Sequence, residues 1–422
     1  MRCPMLWIWL VMSGMGCAAV QNHESWSVER PSTDDLPRFA LVPPSERQID
    51  DRSDQALASA ETTASQEQGL PTPAAHASVR VYFGSNRDFS RRGGVDRSTN
   101  RIENNQYGEC VVSIPLRHQW GELERPSVWR LEFRESVRRH VVLQSAQLLD
   151  REVCLSHLRR DLGASRDPDL FVFVHGYNFD FAEAAQRTAQ MAYDLHYSGV
   201  PVFYSWPSDG RITSYGRDVR VADASVGCVA EFLETLARDS GARRIHLVAH
   251  SLGNHALVGA LAQLTTRPSR SSRVFDEVVF AAPDLDAVQF AEVLAPQIQA
   301  VVRRVTVYSS GSDLALWASR MWHRTFRLGQ RGPHWNSIRG YEWIDVVDAT
   351  SIGFEWLELG HSAYGSELLC DLQKVIAGNP RDTSPPHLTP VARQPRSSIP
   401  WEASRPEYPP PPRQMPSLDR WR

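Results

Sequence analysis

A serine between small residues, a histidine–glycine loop, and an aspartate and a histidine further along carry most of the chemistry this sequence could do. The serine is Ser251, in Val248-Ala-His-Ser-Leu-Gly-Asn254. An apolar, β-rich run ends just before it and a helical pattern starts just after it. A nucleophile on such an elbow needs small residues two positions to either side. Gly253 meets that need, and Ala249 stands at the other position with the next smallest side chain. The turn would expose the Ser251 hydroxyl above a sheet. The helix starting at Leu252 would offer its N-terminal dipole and a backbone N–H to an oxyanion. The plainer reading is a serine that only caps the helix; the strand–turn–helix context favours the nucleophile.

A second motif, Phe173-Val-His-Gly-Tyr-Asn178, closes the earliest strong strand. Gly176 lets the backbone turn toward a reacting carbonyl, which assigns a second oxyanion donor to the N–H of Tyr177, with Asn178 as the adjacent candidate. His175 and His250 read as loop and packing residues beside these motifs. A serine nucleophile needs a base, and the base needs an acid to fix its tautomer. On an elbow of this kind they follow in the order Ser, Asp or Glu, His. Asp313, in Tyr308-Ser-Ser-Gly-Ser-Asp313, leaves the second strand after the nucleophile strand and is read as the acid. Its rival role is to cap a helix at Leu314. Asp284 and Asp286, one strand earlier, are alternative acids. His361, in Gly360-His361-Ser362, follows the last strand and is read as the base; His323 and His334 precede that strand. Trp206, Asp209 and Tyr215 follow the second strong strand and either line a pocket or pack beneath their loop.

The elements that must position these residues alternate regularly. Leu170-Phe-Val-Phe-Val174 is a continuous β-rich run, as expected of a strand buried on both faces, and Val202-Phe-Tyr-Ser-Trp206 and Ile245-His-Leu-Val-Ala249 read as the next strands. Three more follow, at residues 277–282, 304–308 and 343–347. Helical patterns at residues 181–197, 218–239 and 252–264 separate the earlier ones. This alternation predicts an α/β fold with a mostly parallel central sheet and helices on both faces. Val79-Arg-Val-Tyr-Phe83 and Cys110-Val-Val-Ser-Ile114 are expected to add an edge to that sheet.

The ordered phrases Val-His-Gly-Tyr-Asn, Tyr-Ser-Trp-Pro-Ser-Asp-Gly (204–210), Ala-His-Ser-Leu-Gly-Asn, Ser-Ser-Gly-Ser-Asp and Gly-His-Ser resemble a bacterial α/β-hydrolase family known as domain of unknown function 900. Tyr82-Phe-Gly-Ser-Asn-Arg87 and Ser113-Ile-Pro115 are similar to its opening strands. The resemblance covers about residues 79–375. It implies an α/β-hydrolase fold and the triad Ser251, Asp313, His361, and it implies no substrate.

The rest of the chain bounds its setting. It has 422 residues, with 46 basic against 49 acidic side chains and a net charge of −3. No domain-wide basic field exists, which argues against nucleic acid as a partner. Arg2, the apolar run 5–12 and small residues through Ala19 read as an export signal (1–19). Cleavage after Ala19 would release a soluble protein. Cleavage before Cys17 would leave a lipid-modified cysteine and membrane attachment, although Gly14 stands where such signals usually carry an aliphatic residue. Residues 20–78 are polar and read as a disordered linker. The hydrolase domain is expected over 79–378. Twelve of the 28 prolines lie in the last 44 residues, so 379–422 reads as an extended tail able to hold a protein partner. Cys110, Cys154, Cys228 and Cys370 lie in the folded part, with no metal-ligand spacing; buried free thiols are expected. The sum is an exported serine hydrolase needing no cofactor, acting on a small-molecule or surface-exposed ester. An acyltransferase with the same triad, or a non-catalytic envelope-tethered binding protein, are the alternatives.

Overall fold

Alternate side chains of one strand feed two separate cores. In β4 (Asp169–Val174), Leu170, Val172 and Val174 join one apolar cluster, while Phe171 and Phe173 join another. β6 (Arg244–His250) and β7 (Phe275–Ala281) divide in the same way. A period of two with no polar face can only be satisfied by a sheet covered on both sides. The computed structural model describes residues 76–90, 99–126, 132, 134–211, 214–266, 274–351, 365–378 and 389–391.

The sheet has ten strands in the order β10-β9-β8-β7-β6-β4-β5-β1-β2-β3. The others are β1 (His76–Arg87), β2 (Arg101–Pro115), β3 (Val142–Leu149), β5 (Val200–Ser205), β8 (Val302–Ser309), β9 (Ile344–Asp348) and β10 (Thr389–Pro390). Pairing is parallel from β1 through β9 and antiparallel at β1–β2, β2–β3 and β9–β10. Helices α1 (Arg151–Ala164), α3 (Tyr215–Asp239) and α4 (Gly253–Thr265) cover one face; α2 (Phe181–Asp194) and α6 (Gly365–Ile376) cover the other. α5 (Leu314–His323) follows β8.

Two details extend the sequence reading. β1 begins at His76, inside the expected linker, and Thr389–Pro390, inside the expected tail, pairs with β9. Pro390 is tolerated there because an edge strand has a side that needs no donor. Cys110, Cys154, Cys228 and Cys370 are not joined in disulfides, and the first three are buried.

The chain leaves β4 toward β5 on one side and returns through β6 toward β7 on the other. β4 and β6 are neighbours, in register from Asp169 opposite Arg244 to Val174 opposite Ala249. Open α/β sheets bind ligands outside the carboxyl ends of the strands, where the order reverses in this way. Two loops meet at that point: 175–178 after β4 and 251–252 after β6.

Candidate active site

Ser251 sits in the left-handed region, at φ 47°. A serine held there carries strain, of order 1–3 kcal/mol, which surrounding contacts must offset. Its N–H donates to the Ala281 carbonyl at 2.9 Å, and its carbonyl accepts from the Asn254 side chain at 2.8 Å. The glycines explain how the two loops approach. A Cβ on Gly253 would lie 2.3 Å from the His175 carbonyl oxygen, and one on Gly176 would lie 2.7 Å from His250 Nδ1 and 3.2 Å from Ser251 Cβ. Only hydrogens fit at both positions. Ser251 remains partly exposed, and no described side chain hydrogen-bonds its hydroxyl. Leu252 is buried at the start of α4, and no described group accepts from its N–H.

The loop after β4 is held from beneath. His175 stacks on Trp206 at 5.1 Å and on Phe179 at 5.8 Å, and the Trp206 indole donates to the His175 carbonyl at 2.7 Å. Burial, with the nearby Arg87 charge, pushes the His175 pKa down to about 3; burial, with Arg187, does the same for His250. Both rings are therefore neutral at pH 7. Trp206 is fully buried, so it is the floor of the loop rather than a pocket wall. His250 lines a narrow apolar pocket with Phe173 and Tyr308 on the α2–α6 face. Asn178 is exposed at φ 62°, ending the turn that carries Tyr177. Asp209 accepts from Ser214, and its N–H donates to Asp218 at 3.1 Å, so it belongs to the packing of its own loop.

The two aspartates after β7 and β8 are in opposite states. Asp284 is buried, and Oδ1 takes Arg327 Nε at 2.6 Å and the Ser319 hydroxyl at 2.5 Å. Oδ2 takes the Tyr215 hydroxyl at 2.7 Å. Burial alone would raise its pKa, but Arg327 and the two hydroxyls outweigh it and hold the carboxyl below its ordinary range. Asp284 is saturated; through Tyr215 it reaches His323, at 3.0 Å, and through Arg327 it reaches His255, at 3.4 Å. Asp286 caps the short helical turn beginning at Ala287, accepting from Val288 and Gln289 at 2.9 Å. Asp313 caps α5, with Oδ1 accepting from Leu316 N–H at 2.9 Å. Burial raises its pKa, with a smaller contribution from Asp284. The N–H groups of Leu316 and Ala315 oppose that rise, so its capping role is real. His361 lies outside the described residues, as do residues 1–19, read above as an export signal, and Cys17 within them.

Sequence reading missed Arg87, at the end of β1. Its side chain is 1 % exposed, and it donates to Ser205 Oγ at 2.8 Å, the Phe179 carbonyl at 3.0 Å and the Ser208 carbonyl at 3.2 Å. One guanidinium thus ties the loop after β4 to the loop after β5. Burial lowers its pKa to about 10, so it stays charged at neutral pH. The only sequence signal was its place in the Tyr82–Arg87 phrase. A cavity of 380 Å³ also went unforeseen. His255, His323, Arg327, Asp286, Val258 and Leu285 are among its lining residues.

Residues 152–377 match the family model described as alpha/beta hydrolase of unknown function (DUF900). The chain belongs to this family. No curated protein matches it. In this family member, the turn at Ser251 and the loop after β4 converge at the switch point of the sheet.

Proposed function

We propose that the chain is an exported serine hydrolase acting on carboxylic esters, with Ser251 as nucleophile, His361 as base and Asp313 as the acid that orients it. The observation that carries this reading is Ser251 itself, a strained residue at φ 47° wedged between two glycines that admit no Cβ. A serine serving only as a cap has no use for that conformation, because a cap adopts ordinary extended angles.

In this mechanism His361 takes the Ser251 proton as Oγ attacks the ester carbonyl carbon. The carbonyl oxygen becomes an oxyanion held by the N–H groups of Leu252 and Tyr177. His361 then protonates the departing alcohol as the C–O bond breaks, leaving an acyl-serine. Water, deprotonated by His361, repeats the sequence and frees the acid. The α4 dipole favours the oxyanion further. The N-terminal signal supports a place in the cell envelope, with Cys17 as a site of lipid attachment.

Labelling the purified chain with a fluorophosphonate and mapping the adduct by mass spectrometry tests the reading. Label on Ser251 that disappears in Ser251→Ala and collapses in His361→Ala is expected. A folded wild type that takes no label overturns it.

A further inference from the structure

α5 is inside-out for a helix facing water. Leu316 and Ser319 turn inward, at 2 % and 3 % exposed, and Ser319 bonds to Asp284. Leu314, Trp317, Met321 and Trp322 are 59 %, 49 %, 61 % and 60 % exposed. At 100° per residue these four fall on one stripe, with Ala318 between them. Four large apolar side chains gathered on one solvent face mark a contact surface rather than a scatter of exposed residues.

The segment that carries α5 is basic, although Asp223 and Asp286 share a cavity with His323 at the end of the helix. Residues 314–341 contain five arginines and no aspartate or glutamate. Arg327 is committed to the buried Asp284, whereas Arg324 and Arg331 are exposed, the latter 3.4 Å from Asp348. Tryptophan and methionine on a helix bordered by arginines fit the boundary of an anionic bilayer, where indoles sit at headgroup depth and guanidinium groups meet phosphate. The face also leads to the candidate site. Asp313 caps its first turn, Trp322 packs edge-on to Tyr215 at 6.3 Å, and Tyr215 packs edge-on to Tyr177 at 5.6 Å.

We propose that the exposed face of α5 seats on an anionic lipid surface. Resting on the hydrolase reading above, this makes the substrate an ester of an amphiphile presented by that surface, rather than one free in water. Seating buries Leu314, Trp317 and Met321 among headgroups and brings the arginines to lipid phosphates, with the loop 175–178 one aromatic layer behind.

The test uses the full chain with vesicles of phosphatidylglycerol and phosphatidylcholine in equal parts, and with phosphatidylcholine alone. Hydroxyl-radical footprinting is read at Trp317 and Met321, and binding by co-sedimentation. On the anionic vesicles both side chains should become protected, with loss of protection at high salt. Trp317→Ser combined with Met321→Ser should weaken vesicle binding by about 100-fold, the loss expected from withdrawing two half-exposed apolar side chains. Fluorophosphonate labelling of Ser251 in solution should stay unchanged in that variant. Vesicle-bound protein whose Trp317 and Met321 remain fully labelled overturns the proposal, because attachment then runs through the N-terminal segment. Protection already complete without lipid also overturns it; the occupant is then a second copy if protection follows protein concentration, or another segment of the same chain if it does not. Vesicle binding with no label on Ser251 would remove the ester while leaving the lipid seat standing.

Discussion

Gly253→Ala pits helix propensity against a clash at the site. Gly253 is the first residue of α4, and an alanine there would gain about 0.5–1 kcal/mol from reduced backbone entropy. Its Cβ, however, would stand 2.3 Å from the His175 carbonyl oxygen and 2.8 Å from that of Val174. The close limit of a C···O contact is about 3.3 Å, so α4 and the end of β4 must part by about 1 Å. Overpacking of that kind costs roughly 1–3 kcal/mol, which outweighs the propensity gain and leaves a net loss of about 1–2 kcal/mol. The same displacement separates the Leu252 and Tyr177 N–H groups, and a 1 Å error in such a site costs on the order of 100-fold in rate. Urea melts and the second-order rate of fluorophosphonate labelling measure the two effects. Gly227→Ala is the matched control: it is exposed within α3, with nothing within 4 Å of its Cβ. It should stabilise by about 1 kcal/mol and leave labelling untouched. If Gly253→Ala labels at the wild-type rate and is no less stable, the two loops do not form one oxyanion site.

Other outcomes follow from the same contacts. Ser251→Gly should abolish labelling yet stabilise the fold by about 1 kcal/mol in urea, because glycine occupies φ 47° without strain. Asp313→Asn keeps the helix cap and should leave stability within about 0.5 kcal/mol while labelling falls by about 10⁴-fold; Asp313→Ala should lose about 1 kcal/mol as well. His118 is held between Asp194 at 2.7 Å and Glu124 at 2.8 Å. Burial opposes its charge, but the two carboxylates raise its pKa to about 9. Its stabilisation is present in full below the unfolded value near 6.5 and is lost as pH rises through about 9. Urea melts across that window should show a decline of up to about 3 kcal/mol, and His118→Gln should flatten it.

What the sequence revealed and what it hid divide by the range of the interaction. The strands β4 to β9 were legible because burial on both faces makes each of them largely apolar. β3 was not, since it is an edge strand whose exposed face reads as polar noise in Val142–Leu149. α1 buries only Cys154, Leu155, Leu158 and Leu162, too thin a stripe among charges to stand out. α5 entered only as a helix for Asp313 to cap, because its largest apolar residues point outward and its polar Ser319 points in. The elbow at Ser251 was legible because its chemistry is local: small residues two positions away. Arg87 could not be found in this way. Its partners lie 92, 118 and 121 positions along the chain, and no local pattern announces that a charge will be buried among them.

The two candidate acids differ in environment where residue type cannot separate them. Asp284 and Asp313 both leave the carboxyl edge of the sheet, one strand apart, and either could orient a histidine by sequence alone. A triad acid must keep an oxygen for the imidazole and must strengthen that bond as positive charge develops. Asp284 has given both oxygens to Arg327, Ser319 and Tyr215, and the Arg327 charge already neutralises it. Its field at a histidine would be largely cancelled, and Asp284→Asn should act on stability, at about 3–5 kcal/mol for stranding the buried Arg327. Asp313 takes the N–H groups of Leu316 and Ala315, has no cation beside it among the described residues, and is pushed toward protonation by burial. Such a carboxyl gains the most from a histidine that becomes cationic. If Asp284→Asn instead unfolds no more easily than wild type and abolishes labelling, the acid belongs to β7 and the assignment to β8 fails.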